Sequence, residues 1–327
     1  MRKKIAFITP IWEWWPKVLY SDLVSLLSEK YPEYDYFLVS SIKEWILLHF
    51  YNNKYDLIIS SIPFFWKPFN CKYIIQQHWL YKNDRWLTSI PKLLNWLYPY
   101  NNLFSKIVLY PSEFLKKYYN SSHKNQQVIL NFSTFHIVKN ETKSLLDKDT
   151  INLLTITGFS FYKKSIWVLD IFQKLENLNT TKQFNYYICG DWKYLDEIKD
   201  KISNYKISNN IKIVFLWKLD KTNILELLAK TDIFLYSTFQ ETFWISIIEA
   251  MSFWIPVILN NYELFNELYD EEFISKDDND FVYKLDKLIN NPKFYQKYLE
   301  KWYKNLEKFD RDIIIEQWYK IIKEQLN

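Results

Sequence analysis

The sequence predicts an α/β protein made of two doubly wound domains, each with a parallel sheet flanked by helices. Three observations carry that expectation. Short β-rich runs alternate with helical stretches along the chain, the pattern of βαβ units. At 327 residues the chain exceeds one ordinary domain and can bury a core in each of two. A polar stretch, Lys139 to Thr150 (KNETKSLLDKDT), divides the alternation into two series.

The first series opens with IAFIT, which meets Pro10, and continues with a helix from Pro16 to Lys30 in which Pro16 is a candidate first helical residue. YDYFLVSS, DLIISS and KYIIQQ read as strands, a long helical stretch starts at Leu87, and KIVLYPS is a strand before a helix from Glu113 to Tyr119. In the second series INLLTITG precedes a helix from Ser165, FNYYICG one from Lys193, IKIVFL one from Lys221, DIFLYS one from Ile245 and PVILN one from Tyr262. A helical tail follows, and its last helix, Asp310 to Leu326, carries apolar residues at helical spacing.

Composition narrows the class. The hydrophobic fraction is 49% and the charged fraction 24%, ordinary for a globular protein, and no apolar run reaches the length of a membrane span. The apolar run in MRKKIAFITP is too short for a signal peptide and reads as a buried first strand, so a cytoplasmic protein is expected. Cys71 and Cys189 lie far apart with no metal-ligand spacing, which argues against a disulfide framework and a zinc site. A net charge of +4 suits phosphorylated substrates or anionic lipid but not nucleic acid. The aromatic segment Pro91 to Lys106 (PKLLNWLYPYNNLFSK) ends basic and has two readings: an ordinary core helix, or a peripheral contact with the inner membrane face.

The richest stretch is Asp232 to Leu259, DIFLYSTFQETFWISIIEAMSFWIPVIL, which reads as strand, loop, helix, strand. A helix that starts after such a loop turns its first amides and its dipole toward the strand ends, a place suited to a diphosphate. Glu241 and Glu249 are separated by seven residues and can border one site. Taken alone, Glu241 reads as a helix N-terminal acid and Glu249 as a solvated helix residue.

The run ETFWISIIEAMSFWIPVI resembles the E-x7-E signature of the retaining GT-B glycosyltransferases (group 1), written E-G-F-G-x-x-x-x-E-A-M-A-x-G-x-P-V-I. Further segments resemble the same family: TGFSFYKKSIWVLDIF its G-R-L-x-x-x-K-G motif, ICGDWKYLDEI its I-x-G-x-G motif, QQHWLY its H-G-L segment, and KIVLYPSEFLKKYY the segment closing the first domain. The resemblance implies two Rossmann-like domains facing a cleft. Residues 1–140 would form the acceptor-side domain, with helix 310–327 packing back on it, and residues 150–309 the nucleotide-sugar domain. It also implies no cofactor and no metal, a UDP- or GDP-sugar donor, a glycan or lipid-linked acceptor, and retention of configuration. Residue by residue, Glu241 would bond the donor sugar, Glu249 the ribose, His78 the sugar or acceptor region, and Lys164 the leaving diphosphate. Thr242, Phe243, Trp244 and Ile245, with Trp14, Trp15 and Gly190, would complete the donor site. The other reading of Lys163 and Lys164 is a solvated basic pair, and His78 taken alone is more often a satisfied core or surface histidine.

Glycine numbers only 2 and tryptophan 15, against an average glycine usage of roughly 7%. Trp244 and Trp254 fall on family glycine positions, as do Trp79, Trp192 and Trp217. Trp254 follows the helix ISIIEAMSF and precedes Ile255-Pro256, where helices end in a left-handed glycine. Trp12, Trp14 and Trp15 stand where relatives have a glycine-rich loop. These positions read as UGA codons that the source organism translates as glycine; a second reading is a genuinely Trp-rich protein whose indoles stack on sugars or sit at a membrane surface, and a third mixes the two, with Trp96 or Trp318 as ordinary core aromatics. One departure remains: the family arginine after the first motif glycine is Phe159, leaving Lys163 or Arg85 as a second cation. The milder departure is Asn131-Phe132 for an N-G turn. Phe159 keeps alive a non-catalytic nucleotide-sugar-binding relative. A dinucleotide-dependent oxidoreductase is disfavoured because no GxGxxG follows the first strand.

Overall fold

The computed structural model describes residues 2–9, 14–50, 54–64, 71–78, 89–133, 135, 144–157, 180–190, 200, 203, 209–217, 219–238 and 243–327. The chain divides into two compact units, one of residues 1–134 with 309–327 and one of residues 135–308.

The first unit holds six strands: β1 (Lys4–Ile8), β2 (Asp35–Val39), β3 (Leu57–Ser60), β4 (Lys72–Gln76), β5 (Ile107–Tyr110) and β6 (Gln126–Val128). They are all parallel, in the order β2-β1-β3-β4-β5-β6. The central strands β1, β3 and β5 are almost entirely buried, as uninterrupted Ile, Leu, Val and Phe runs covered on both faces must be. Among the described residues, four helices belong to this unit's first segment: α1 (Trp14–Lys30), α2 (Ile42–Phe50), α3 (Ser89–Phe104) and α4 (Glu113–Tyr119). Helix α4 shows why the sequence stops and starts where it does. Ser112 caps its N-terminus by accepting from the Leu115 amide, and Asn120 closes it in the left-handed region that asparagine tolerates, φ 43°.

The second unit holds β7 (Thr150–Ile156), β8 (Gln183–Cys189), β9 (Ile211–Leu216), β10 (Ile233–Tyr236), β11 (Val257–Asn260) and the short β12 (Ile274–Ser275). Its order is β12-β11-β10-β7-β8-β9, again all parallel, which is the doubly wound dinucleotide-fold order with β7 as first strand. Its helices among the described residues are α5 (Lys221–Lys230), α6 (Ile245–Ser252), α7 (Glu263–Leu268), α8 (Asp278–Asn290) and α9 (Pro292–Leu306). The last helix, α10 (Arg311–Leu326), belongs to the first unit. Its Trp318 meets Phe7 of β1 edge-on at 6.0 Å, and Tyr319 stacks on Tyr31 at 3.7 Å.

Several details differ from the sequence expectation. Helix α1 begins at Trp14, so Pro16 is its third residue rather than its first; the first-turn amides have no carbonyl partner, and proline is accepted throughout that turn. Helix α2 and strands β6 and β12 are additions that short or polar segments concealed. The helices expected from Ser165 and Lys193 lie outside the described residues.

Candidate functional site

Parallel strands put all their C-terminal ends on one edge of a sheet, and ligands of such folds bind where the strand order reverses. In the second unit the chain runs outward from β7 through β8 to β9 and then returns to β10 on β7's other side, so the reversal falls between β7 and β10. The residues that follow those strands are 157–164 and 237–244, the two segments carrying Lys164 and Glu241. Gly190 stands on the same edge at the end of β8, with φ 155°, a value that suits only glycine.

After β10, Ser237 and Thr238 are buried, and Phe243 is buried where the chain re-enters α6. Trp244 is the N-cap of α6 with extended backbone, and its ring stacks on Tyr236 of β10 at 5.3 Å. An indole has no acceptor to offer the first-turn amides, unlike the usual Ser, Thr, Asp or Asn. Seven residues of α6, Ile245 through Ser252 except Glu249, are buried. Glu249 is the one residue of this helix that keeps solvent access. On a helix that is apolar or enclosed elsewhere, a carboxylate at the only open position is better placed for a ligand than a solvated-face residue would be.

Helix α6 ends in a Schellman motif. The Ile255 amide donates to Ala250 carbonyl at 3.2 Å and the Trp254 amide to Met251 carbonyl at 3.0 Å, with Trp254 left-handed at φ 59° and Pro256 beyond. The residue that this motif ordinarily reserves for glycine is therefore a tryptophan.

In the first unit His78 follows β4 and is fully buried, with Tyr20 of α1 edge-on at 6.1 Å. The Tyr20 hydroxyl donates to Gln76 Oε1 at 2.5 Å, which ties α1 to the end of β4. Burial lowers the His78 pKa from its ordinary 6.5 to about 3. The ring is thus neutral at physiological pH.

A model of the family described as glycosyl transferases group 1 matches residues 137–309, more than half of the chain. The protein belongs to that family. No curated protein sequence matches it significantly. Among solved structures, HepE from Anabaena in complex with UDP and glucose is similar at 14% identity, with a TM-score of 0.73 over 99% of this chain and 100% of HepE. Sucrose-phosphate synthase from Thermosynechococcus elongatus is similar at 12% identity, TM-score 0.74, over 99% of each chain. A glycosyltransferase from Rickettsia africae is similar at 16% identity, TM-score 0.69, over 100% of this chain and 99% of that one. These likenesses concern the fold, which is GT-B.

For this group 1 glycosyl transferase the described residues place Ile245 and Glu249 on α6, Trp244 at its N-cap and Phe243 just before it, with Gly190 at the end of β8. His78, Trp14 and Trp15 belong to the first unit, the two tryptophans in the first turn of α1. Glu241, Thr242 and Lys164, together with Phe159, Lys163, Arg85, Trp12, Trp79 and Trp192, lie outside the described residues. Sequence reading passed over Asn260, which ends β11 beside this site; its only signal was a polar residue closing the apolar run PVIL.

The buried His78 yields a pH prediction. The unfolded chain binds a proton near pH 6.5 and the folded chain only near 3, so His78 leaves stability intact above 6.5 and subtracts from it progressively as pH falls toward 3. Each tenfold rise in proton concentration across that interval removes about 1.4 kcal/mol, so the loss reaches a few kcal/mol. Urea unfolding of the His78→Gln variant should show a flatter acid limb than the parent, and parallel limbs would contradict the assignment.

Proposed function

We propose that this protein is a retaining glycosyltransferase of the E-x7-E type, metal-independent, moving a sugar from a UDP- or GDP-sugar to a glycan or lipid-linked acceptor. The observation that carries the reading is the second unit's strand reversal between β7 and β10: both carboxylates of the signature follow β10, and Glu249 holds the only open position on α6. In the reaction the bond from the anomeric carbon to the diphosphate oxygen breaks, a bond to an acceptor hydroxyl oxygen forms, and the nucleoside diphosphate leaves with the hydroxyl proton. Positive charge grows on the sugar and negative charge on the diphosphate, so the site must stabilise both. Glu241 serves the sugar, Glu249 the ribose, and Lys164 with the amides at Phe243 and Trp244 the diphosphate. His78, neutral, bonds a hydroxyl in the sugar or acceptor region. Residues 1–140 with 310–327 form the acceptor side and residues 150–309 the donor side.

Recombinant protein incubated with a panel of UDP- and GDP-sugars, with chelator present, tests this. Transfer or slow hydrolysis giving product of the donor's own anomeric configuration is expected. Binding without turnover of any donor would favour the non-catalytic relative that Phe159 suggests, and inverted product would remove the retaining assignment.

The tryptophans at family glycine positions are, in the same reading, UGA codons translated as glycine by the source organism. The left-handed Trp254 inside a Schellman motif supports it, because a bulky residue is disfavoured there by about 1–2 kcal/mol. Reading the gene decides the matter: UGG codons at positions 12, 14, 15, 244 and 254 would sink the idea.

A cytoplasmic protein with peripheral membrane contact completes the proposal. Among the described residues no helix is long and apolar enough to cross a membrane. Helix α3 buries Leu97, Tyr98 and Asn101 while leaving Trp96 64% and Leu103 81% exposed. Residues 89–134 carry five lysines and one glutamate, a balance of +4 equal to that of the whole chain. An apolar stripe beside concentrated lysines suits an anionic bilayer surface. The protein should co-sediment with anionic vesicles at low salt and release at high salt; failure to co-sediment at low salt would remove the membrane contact.

A further inference from the structure

The ladder between β10 and β11 ends at the pair Tyr236 and Leu259, and one residue further along β11 stands Asn260. Past the end of a ladder, buried backbone groups need other partners, because an unpaired buried amide or carbonyl is strongly disfavoured. Thr238 is fully buried, and its main chain is served by the Asn260 side chain. The Thr238 amide donates to Asn260 Oδ1 at 2.8 Å, and Asn260 Nδ2 donates to the Thr238 carbonyl at 2.6 Å. The amide and carbonyl of one residue face the same side only in extended backbone, so a side-chain amide that bonds both acts as one more rung of sheet. Asn260 is itself 7% exposed, so water competes little for either bond.

Thr238 is the residue at which β10 hands over to the segment carrying Glu241, three positions later. On the far side of that segment Phe243 is buried and Trp244 stacks on Tyr236. Glu241 thus falls in sequence between two anchors, and the upstream one includes the Asn260 side chain, which comes from another strand.

We infer that Asn260 is a positioning residue for the transfer reaction: it fixes the backbone of Thr238 at the end of β10 and through it the place of Glu241. The inference rests on the reading of Glu241 as the donor-sugar carboxylate. Hydrogen bonds to both main-chain groups define distance and rotation together, which one bond alone would not, and catalysis is sensitive to displacements of about 1 Å.

A double-mutant cycle tests it. Asn260→Leu removes both bonds at similar volume and should lower kcat at least tenfold while the donor KM changes less than threefold. In the Glu241→Gln background, where nothing remains to be placed, the same change should lower kcat by less than threefold. Asn260→Gln, which keeps the amide but displaces it by one methylene, should fold and show a smaller kcat loss; it stands in should the leucine variant not fold. Thr231→Val is the control, since it removes a buried hydrogen bond to Leu227 carbonyl in the same unit and should reduce stability without changing kcat. Equal kcat losses from Asn260→Leu, or from Asn260→Gln, in both backgrounds mean a general structural role and overturn the inference. If Glu241→Gln is itself silent, the assignment of Glu241 falls, and the positioning role falls with it.

Discussion

A chain with glycine at positions 12, 14, 15, 79, 192, 217, 244 and 254 should transfer sugar about a hundredfold faster than the chain with tryptophan at all eight. The size of the effect follows from geometry, since a misplacement of about 1 Å near reacting groups is worth about a hundredfold in rate. Trp14 and Trp15 are the first two residues of α1, and Trp244 is the N-cap of α6. In the proposed role the amides at 243 and 244 must approach a diphosphate closely, and glycine permits a closer approach than any residue with a side chain. Position 254 gives a separate and cleaner measurement. Trp254→Gly and Trp254→Ala both lose the stack on Tyr303 at 4.9 Å, and both remove an indole N–H that is buried with no hydrogen-bond partner among the described residues. The two variants then differ only in what φ 59° asks of the backbone. Glycine accepts that angle and alanine does not, so Trp254→Gly should exceed Trp254→Ala by about 1 kcal/mol. In a unit of this size that is about 2–4 °C in melting temperature. Equal melting temperatures would mean that the left-handed turn is not retained, and equal transfer rates in the two eight-position chains would leave the tryptophans as native residues.

Strands were readable because parallel strands covered on both faces must be continuous apolar runs, and IAFI, LIIS, IVLY, IFLY and VILN are such runs. Their alternation with helices then limits the topology to doubly wound sheets. Helix α4 was readable to the residue because Ser112 and Asn120 are cap residues. What stayed hidden lacked such signals. Strand β6, QQV, is polar and lies at the sheet edge, where pairing with β5 rather than burial makes it a strand. Helix α2, IKEWILLHF, is a short apolar run whose period cannot be told from a buried strand. Of the site, Glu249 was legible by spacing, while its standing as the open position on α6 needed the packing of α9, β10 and β11 around that helix. Asn260 was illegible because its partner is a backbone group 22 positions away, and no side-chain pattern encodes a main-chain acceptor.

Glu241→Gln and Glu249→Gln should fail in different ways. Glu241 follows β10 and precedes α6 in the sequence, and the proposed reading assigns it to the reacting donor sugar. Its charge opposes the positive charge that grows only as the transition state is reached, so its loss should lower kcat about a hundredfold with little change in donor KM. Glu249 lies about one turn into α6, at the open position of an otherwise buried helix; in the proposed role it holds the ribose, a contact that would be present before and during reaction. A hydrogen bond to a charged group contributes about 1.5–3 kcal/mol, so Glu249→Gln should raise the donor KM about tenfold or more and leave kcat within a few-fold. Steady-state kinetics with the best donor, run in the glycine-bearing chain so that the indole at 244 does not mask either effect, separates the two. Matching losses of kcat in both variants would assign both carboxylates to the reacting sugar. Unchanged kinetics in both would make them surface acids, and the E-x7-E spacing would then carry no chemistry in this protein.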